Sequence, residues 1–186
     1  MKTSAMITVA GMLASGAWAA TQSENQKVVV CMKGDRAGVE RARASAYRIF
    51  ISAGVKLEWH ADLSFCQGKR QAIMISLMTS TPRTFHPGAL AYALPYEGVH
   101  IQVFYDRIEI ADPRLLPSLL ANVIVHEISH ILQGIDRHSD SGIMKAEWSS
   151  SDFTLMQSGQ LRFTGLDLEM IHNGLAARAT HRVAGT

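Results

Sequence analysis

The run from Leu115 to Gln133 constrains the fold most, because it is apolar, of helical length, and carries ionisable side chains in its middle. Pro113 and Pro117 sit at its start and Gly134 follows its end, the positions a helix tolerates. Val123, Ile124, Val125, Ile128, Ile131 and Leu132 surround the sequence His126-Glu127-Ile128-Ser129-His130. A helix apolar on so much of its surface is buried, and burying two imidazoles and a carboxylate without partners is costly. Residues four apart on a helix differ by roughly 40° of rotation, so His126 and His130 can offer two ring nitrogens to one metal ion. Glu127, tilted aside, can reach a water without ligating the metal. That is the physical content of H-E-x-x-H spacing. Imidazole ligands with a position left open for water favour zinc over calcium or magnesium. The motif is short and also occurs by chance on ordinary amphipathic helices; the apolar setting argues for the metal.

The surrounding chain allows one domain. Its 186 residues suffice for a single core, and 47% hydrophobic against 18% charged residues suits a folded globular protein. The net charge of +2, with no run of Lys or Arg along the chain, does not suggest nucleic-acid binding. Lys2, the apolar stretch Ala5 to Ala14 and the small residues around Ala17-Trp18-Ala19 read as a secretory signal peptide over 1–19. Residues 20–186 are then one exported domain, secreted or periplasmic, without a membrane anchor after cleavage. An oxidising compartment favours a disulfide between Cys31 and Cys66, the only cysteines; thiolate ligation lacks the C-x-x-C spacing it would need.

Local patterns predict strands near Lys27 to Met32, Val55 to His60, Ala72 to Met78, Gly88 to Leu94 and Val99 to Ile110. A helix over Val39 to Ala53 ends at Gly54. After the apolar helix the chain reads as irregular until Thr164, where Thr164 and Asp167 form an N-cap arrangement for a last helix through Leu175. The order is that of an α+β fold.

Downstream of the helix come Gly134, His138 and Ser139-Asp140-Ser141-Gly142-Ile143-Met144. Together with His126, Glu127 and His130, these resemble the metzincin family, and within it the matrixins, whose signature is H-E-x-x-H-x-x-G-x-x-H followed by a turn bearing a methionine. Pro87 to Pro95 is similar to the matrixin strand that pairs with substrate, and Phe163 to Asp167 to the opening of the C-terminal helix. The resemblance implies a zincin/metzincin-like fold: a mixed five-stranded sheet, a long helix, an active-site helix and a small C-terminal subdomain ending in a helix. It further implies a zinc metalloendopeptidase with one catalytic Zn2+ on His126, His130 and His138, Glu127 as general base, Met144 as the turn methionine and an extended peptide or protein as substrate. A monomer is expected.

The sequence departs from the pattern in three ways. Gly134 falls one position late and His138 two, which puts Asp136 at the family's third-ligand position. His138 is preferred because the Ser-rich turn and Met144 follow it directly; Asp136, or a carboxylate such as Glu147 or Glu169, is the alternative. Tyr92 stands where matrixins carry a histidine for a structural zinc, so that second site is expected to be absent. The stretch after Ala20 leaves no space for an inhibitory pro-segment, and Cys31, in a strand, is not expected to act as a latency switch. The competing functions are an inactive exported metal-binding or structural protein with a zincin fold, and a zinc hydrolase acting on a non-protein substrate.

Overall fold

Short β-branched runs separated by one long crossover favour parallel strands, and the chain begins that way. The computed structural model describes residues 26–93, 99–110 and 114–183. The signal-peptide segment, Leu94 at the end of the fourth expected strand, and Pro113 lie outside the described residues. Strand β1 (Gln26–Met32) leads through helix α1 (Val39–Ser52) to β2 (Val55–His60), which pairs parallel to it. Strand β3 (Ile73–Met78) pairs parallel to β1, and β5 (His100–Phe104) parallel to β3. Strand β4 (Ala91–Ala93) runs antiparallel along β5, giving a mixed five-stranded sheet in the order β2-β1-β3-β5-β4.

Side chains alternate across each strand, and the two faces have different fates. Val28, Val30, Met32, Val55, Leu57, Ile73, Ile75, Ile101 and Val103 join the main core with α1 and α3 (Leu116–Gln133). Cys31, Cys66, Ala72, Val29 and Met74 form a small separate cluster. At its centre is the Cys31–Cys66 disulfide, with Cα atoms 6.1 Å apart, joining β1 to the 3-10 turn Leu63–Cys66. Closing a loop of that length stabilises a domain by about 3–4 kcal/mol in the chain-entropy model. The bridge therefore staples the sheet on the side that lacks a thick helical layer.

The apolar helix is the centre of the fold. Fifteen of its eighteen residues are buried, between the sheet, α1, α4 (Ser150–Gln157) and α5 (Gly165–Val183). Helix α5 crosses α3 at Gly174, where a Cβ would fall 1.8 Å from the Leu132 carbonyl oxygen. Only a residue without a side chain allows that approach.

Four stretches differ from the pattern-based reading. The last helix runs past Leu175 to Val183, and of Gly88 to Leu94 the described strand is Ala91–Ala93. Val99 to Ile110 is not one strand: β5 stops at Phe104 and helix α2 (Tyr105–Glu109) follows. Tyr105 and Ile108 are both buried, three residues apart, which is a helical rather than an alternating repeat. From α2, Asp106 accepts hydrogen bonds from the Thr81 backbone N–H (2.9 Å) and hydroxyl (2.6 Å). Arg107 donates to the carbonyls of His86 (2.5 Å), Ala89 (2.6 Å) and Phe85 (3.5 Å). These bonds fasten the loop that leads into β4. The stretch before Thr164 also contains α4, whose start is held by Ser149 N–H and Oγ donating to Asp152 Oδ2, each at 2.7 Å.

A glycine in a helix interior normally destabilises it, so Gly→Ala tends to stabilise by about 1 kcal/mol. At Gly174 the sign should reverse. Gly174→Ala must push α5 off α3, and a loss of about 1–3 kcal/mol is expected, read as a lower Tm in a thermal melt. An unchanged or raised Tm would show that the helices do not meet this closely.

Candidate metal centre

His126 and His130 lie one turn apart on α3, 7% and 5% exposed. The Nδ1 N–H of His126 donates to the Ile143 carbonyl at 2.9 Å, and that of His130 to the Ile135 carbonyl at 3.2 Å. A carbonyl oxygen only accepts, so both protons sit on Nδ1 and both Nε2 atoms present lone pairs. Those Nε2 atoms face each other at 3.0 Å. Two lone pairs at that distance repel unless something positive lies between them. A proton is a poor candidate: burial, and then the neighbouring imidazole of His130, push His126 down to about 3. His130 is also lowered, by burial first and then by His138. A metal cation relieves the repulsion, and the donor chemistry fits zinc.

The third imidazole comes from the loop after the helix. Gly134 ends α3 in the left-handed region (φ 71°), its N–H donating to the His130 carbonyl at 2.9 Å. The loop then brings His138 back, with ring centroids 5.2 Å from His126 and 5.0 Å from His130. One ring nitrogen from each of His126, His130 and His138 lies within 4.8 Å of the other two. Among the described residues this is the group of His, Cys, Asp or Glu side chains that comes together in this way. Asp136, Glu147 and Glu169 are exposed and do not belong to it.

What holds that loop is a residue whose importance the sequence did not reveal. Asp167, fully buried on α5, accepts hydrogen bonds from Ser139 Oγ (2.5 Å), Arg137 Nη1 (3.2 Å), Thr164 Oγ1 (2.7 Å) and Thr164 N–H (3.0 Å). The bonds with Thr164 are the expected cap; those with Arg137 and Ser139 flank His138 and pin it. Although burial alone would raise the Asp167 carboxyl, its hydrogen bonds hold it below the usual range. The Thr164/Asp167 spacing marks the cap, but nothing in it points to residues some thirty positions upstream.

The loop closes through Ser139 N–H donating to the Met144 carbonyl (2.7 Å) and Ile143 N–H donating to the Arg162 carbonyl (3.0 Å). Gly142 has φ 78°, and a Cβ there would fall 2.3 Å from the Arg162 oxygen. Met144 is fully buried in the main core. The ring of Trp148 stands edge-on to His126, with centroids 5.5 Å apart.

Glu127 keeps part of its surface open, and its carboxylate has no hydrogen-bond or ion-pair partner among the described residues. Burial, followed by the charge of Asp136, pushes it up to about 8. A cation among the imidazoles would draw its pKa down again.

The other histidines lie elsewhere. His60 stacks on Phe65 (3.5 Å between centroids), His86 accepts from Gly88 N–H (3.2 Å), and His172 on α5 donates to the Ala53 carbonyl (2.8 Å). His100 is exposed on β5, and the side chain of His181 lies outside the described residues. Of the stretch read as a substrate-pairing strand, Ala91–Ala93 is strand at the end of the sheet order, packed near α3. Residues 94–98 lie outside the described residues.

No family model and no curated protein matches the chain. Among solved structures it is similar to the crystal structure of archaemetzincin from Methanopyrus kandleri, with a TM-score of 0.50, 16% sequence identity, and coverage of 84% of this chain and 98% of that one. The likeness is one of fold: an α+β layer arrangement on a mixed five-stranded sheet, as the sequence led us to expect in outline.

Two outcomes are expected, the first for the metal-free protein and the second for its zinc affinity. Because the folded-state pKa of Glu127 lies above its ordinary 4.5, folding stability from this group is full below pH 4.5 and is lost as the pH rises through about 8. Glu127→Gln should therefore stabilise the protein in excess EDTA by about 1–3 kcal/mol at pH 8.5 and by little at pH 4.5. Denaturant titrations at the two pH values read the difference, and a gain independent of pH would show that the Glu127 carboxyl is not raised by its surroundings. Asp167→Ala should weaken zinc binding by about 10- to 100-fold through the loss of His138 positioning, read by chelator competition. Parent-like affinity would remove Asp167 from the site.

Proposed function

We propose that the protein is a zinc-dependent metalloendopeptidase, exported and acting as a monomer on extended peptide or protein segments. The observation that carries this reading is the convergence of the His126, His130 and His138 ring nitrogens, with Glu127 next to His126 on the same helix. One zinc ion held by these imidazoles would supply the positive charge that acidifies water and polarises a carbonyl. Glu127 accepts the water proton on its carboxylate and delivers it to the leaving amine nitrogen. The Ile143 and Ile135 carbonyls keep both helix imidazoles in the tautomer that offers Nε2. Strand β4 is last in the sheet order, with no further strand beyond it among the described residues, and its outer edge would pair with the backbone of an extended substrate. Met144, in the core beside the loop, acts as the turn methionine of the matrixin-like pattern. It packs and does not ligate.

The fold likeness to archaemetzincin supports the reading at the level of architecture. The Cys31–Cys66 bridge supports export, since structural disulfides persist in oxidising compartments. Residues 1–19 would be the signal that directs it.

The test combines metal content and turnover. The mature protein should hold about one zinc per chain. His138→Ala should lose most of that affinity, while Asp136→Ala retains it; the reverse pattern would transfer the third ligand to Asp136. Glu127→Ala should keep zinc and lose at least about 100-fold in kcat on a mixed peptide library. Cleavage undiminished by Glu127→Ala would remove the base. A zinc-loaded parent that cleaves no peptide would sink the peptidase reading and leave the inactive-protein and non-protein-substrate readings standing.

A further inference from the structure

Five residues, Lys145 to Ser149, join the turn that carries Met144 to helix α4, and both ends of this segment are tied to one carboxylate. Lys145 Nζ donates to Asp152 Oδ2 at 2.5 Å. Ser149 donates to the same oxygen through its N–H and its Oγ, each at 2.7 Å. Asp152 itself is buried. The Ser149 bonds are those of a capping box and serve the start of α4. The Lys145 bond adds something a cap does not need. It draws the beginning of the segment to its end, and with charge on both partners it is the stronger kind of hydrogen bond. Lys145 to Ser149 is thereby closed into a loop with Asp152 as its clasp.

Trp148 lies inside that loop, immediately before Ser149. Its ring meets His126 edge-on, with centroids 5.5 Å apart and planes at 84°, a geometry that aromatic pairs favour. A buried indole N–H usually finds an acceptor that fixes the ring. Here Nε1 is buried and has none. The place of the ring is therefore set by packing against the core and by the backbone that carries it. That backbone is fixed one residue on, where the Ser149 N–H meets Asp152.

His126 needs such a neighbour. The Ile143 carbonyl selects its tautomer, but one hydrogen bond to a carbonyl oxygen tolerates a broad range of approach. The perpendicular edge of Trp148 narrows the range, because the imidazole cannot tilt toward it without overlap. We infer that Asp152 is a positioning residue for the histidine centre: through Lys145 and Ser149 it holds Trp148 against His126, and so steadies the direction in which His126 offers Nε2. The consequence for metal affinity rests on the reading of the three histidines as zinc ligands. Asp152 acts on that centre only through Trp148.

The ring and the ion are read separately in the full protein. In the metal-free state, the His126 ring-proton resonances report the indole beside them by NMR. Trp148→Leu should displace these resonances, and Asp152→Ala should displace them in the same direction. Each should weaken zinc binding by about tenfold or more in chelator competition. Lys145→Met keeps the cap and breaks only the closure, so it should move the resonances part of the way. Asp152→Asn, whose amide oxygen still accepts from Ser149, should bring them back toward the parent. Phe153→Ala thins the packing of α4 on the core without touching the clasp. It should lower the Tm and leave both readouts at parent values. Parent-like resonances in both Asp152→Ala and Lys145→Met overturn the proposal. So does an equal displacement in Phe153→Ala, which would make the effect one of α4 stability alone. Failure of the zinc reading shows differently, as a parent that takes up no zinc while the metal-free resonances still answer to Asp152.

Discussion

Two ring nitrogens that carry no hydrogen, 3.0 Å apart on a helix that water barely reaches, set the terms for everything around them. The backbone carbonyls of Ile143 and Ile135 hold that arrangement by claiming the Nδ1 hydrogens, and each carbonyl belongs to the loop that follows the helix. The loop must therefore be shaped before the imidazoles can be. Its shape comes from Asp167 on α5, whose oxygens gather Arg137, Ser139 and Thr164. Helix α5 can do this because Gly174 lets it lie against α3 almost backbone to backbone. The centre thus rests on contacts from the far end of the chain, although its two helix histidines are only four residues apart.

The parts of this architecture that announce themselves in the sequence are those governed by short-range repeats. The apolar helix, α1 with its stop at Gly54, and the strands around β1, β2 and β3 follow from hydrophobic period and turn residues, and the observed bounds differ by a residue or two. The strand expected to run to Ile110 shows where such reasoning fails. Tyr105 continues the alternation of Ile101 and Val103, but tertiary packing rewards the helical spacing of Tyr105 and Ile108 instead. Helix α4 was hidden because its hydrophobic content is slight, although the Ser149/Asp152 pair at its start was in plain view. The pairing of Asp167 with Arg137 and Ser139 could not have been read at all, because nothing local encodes a partner thirty residues away.

The sheet distributes its support unevenly, and the chemistry of each support differs. On the helical side, apolar burial does the work, a force that is non-directional and tolerant of repacking. On the other, the satellite cluster around Cys31 and Cys66 is small, and a covalent link replaces area. That division places the oxidation-sensitive element far in the sheet order from β4 and away from the helix that carries the histidines. Reduction would loosen the β1 and β2 side first, leaving α3 in its apolar bed.

The loop before β4 is fastened by Asp106 to Thr81 and by Arg107 to three carbonyls, an arrangement made wholly of side-chain and backbone hydrogen bonds. The loop that carries His138 contributes a side chain to a shared ion in the functional reading advanced here. The two loops would then answer to different solutes: chelation would slacken the one that carries His138, while the one before β4 kept its hydrogen bonds.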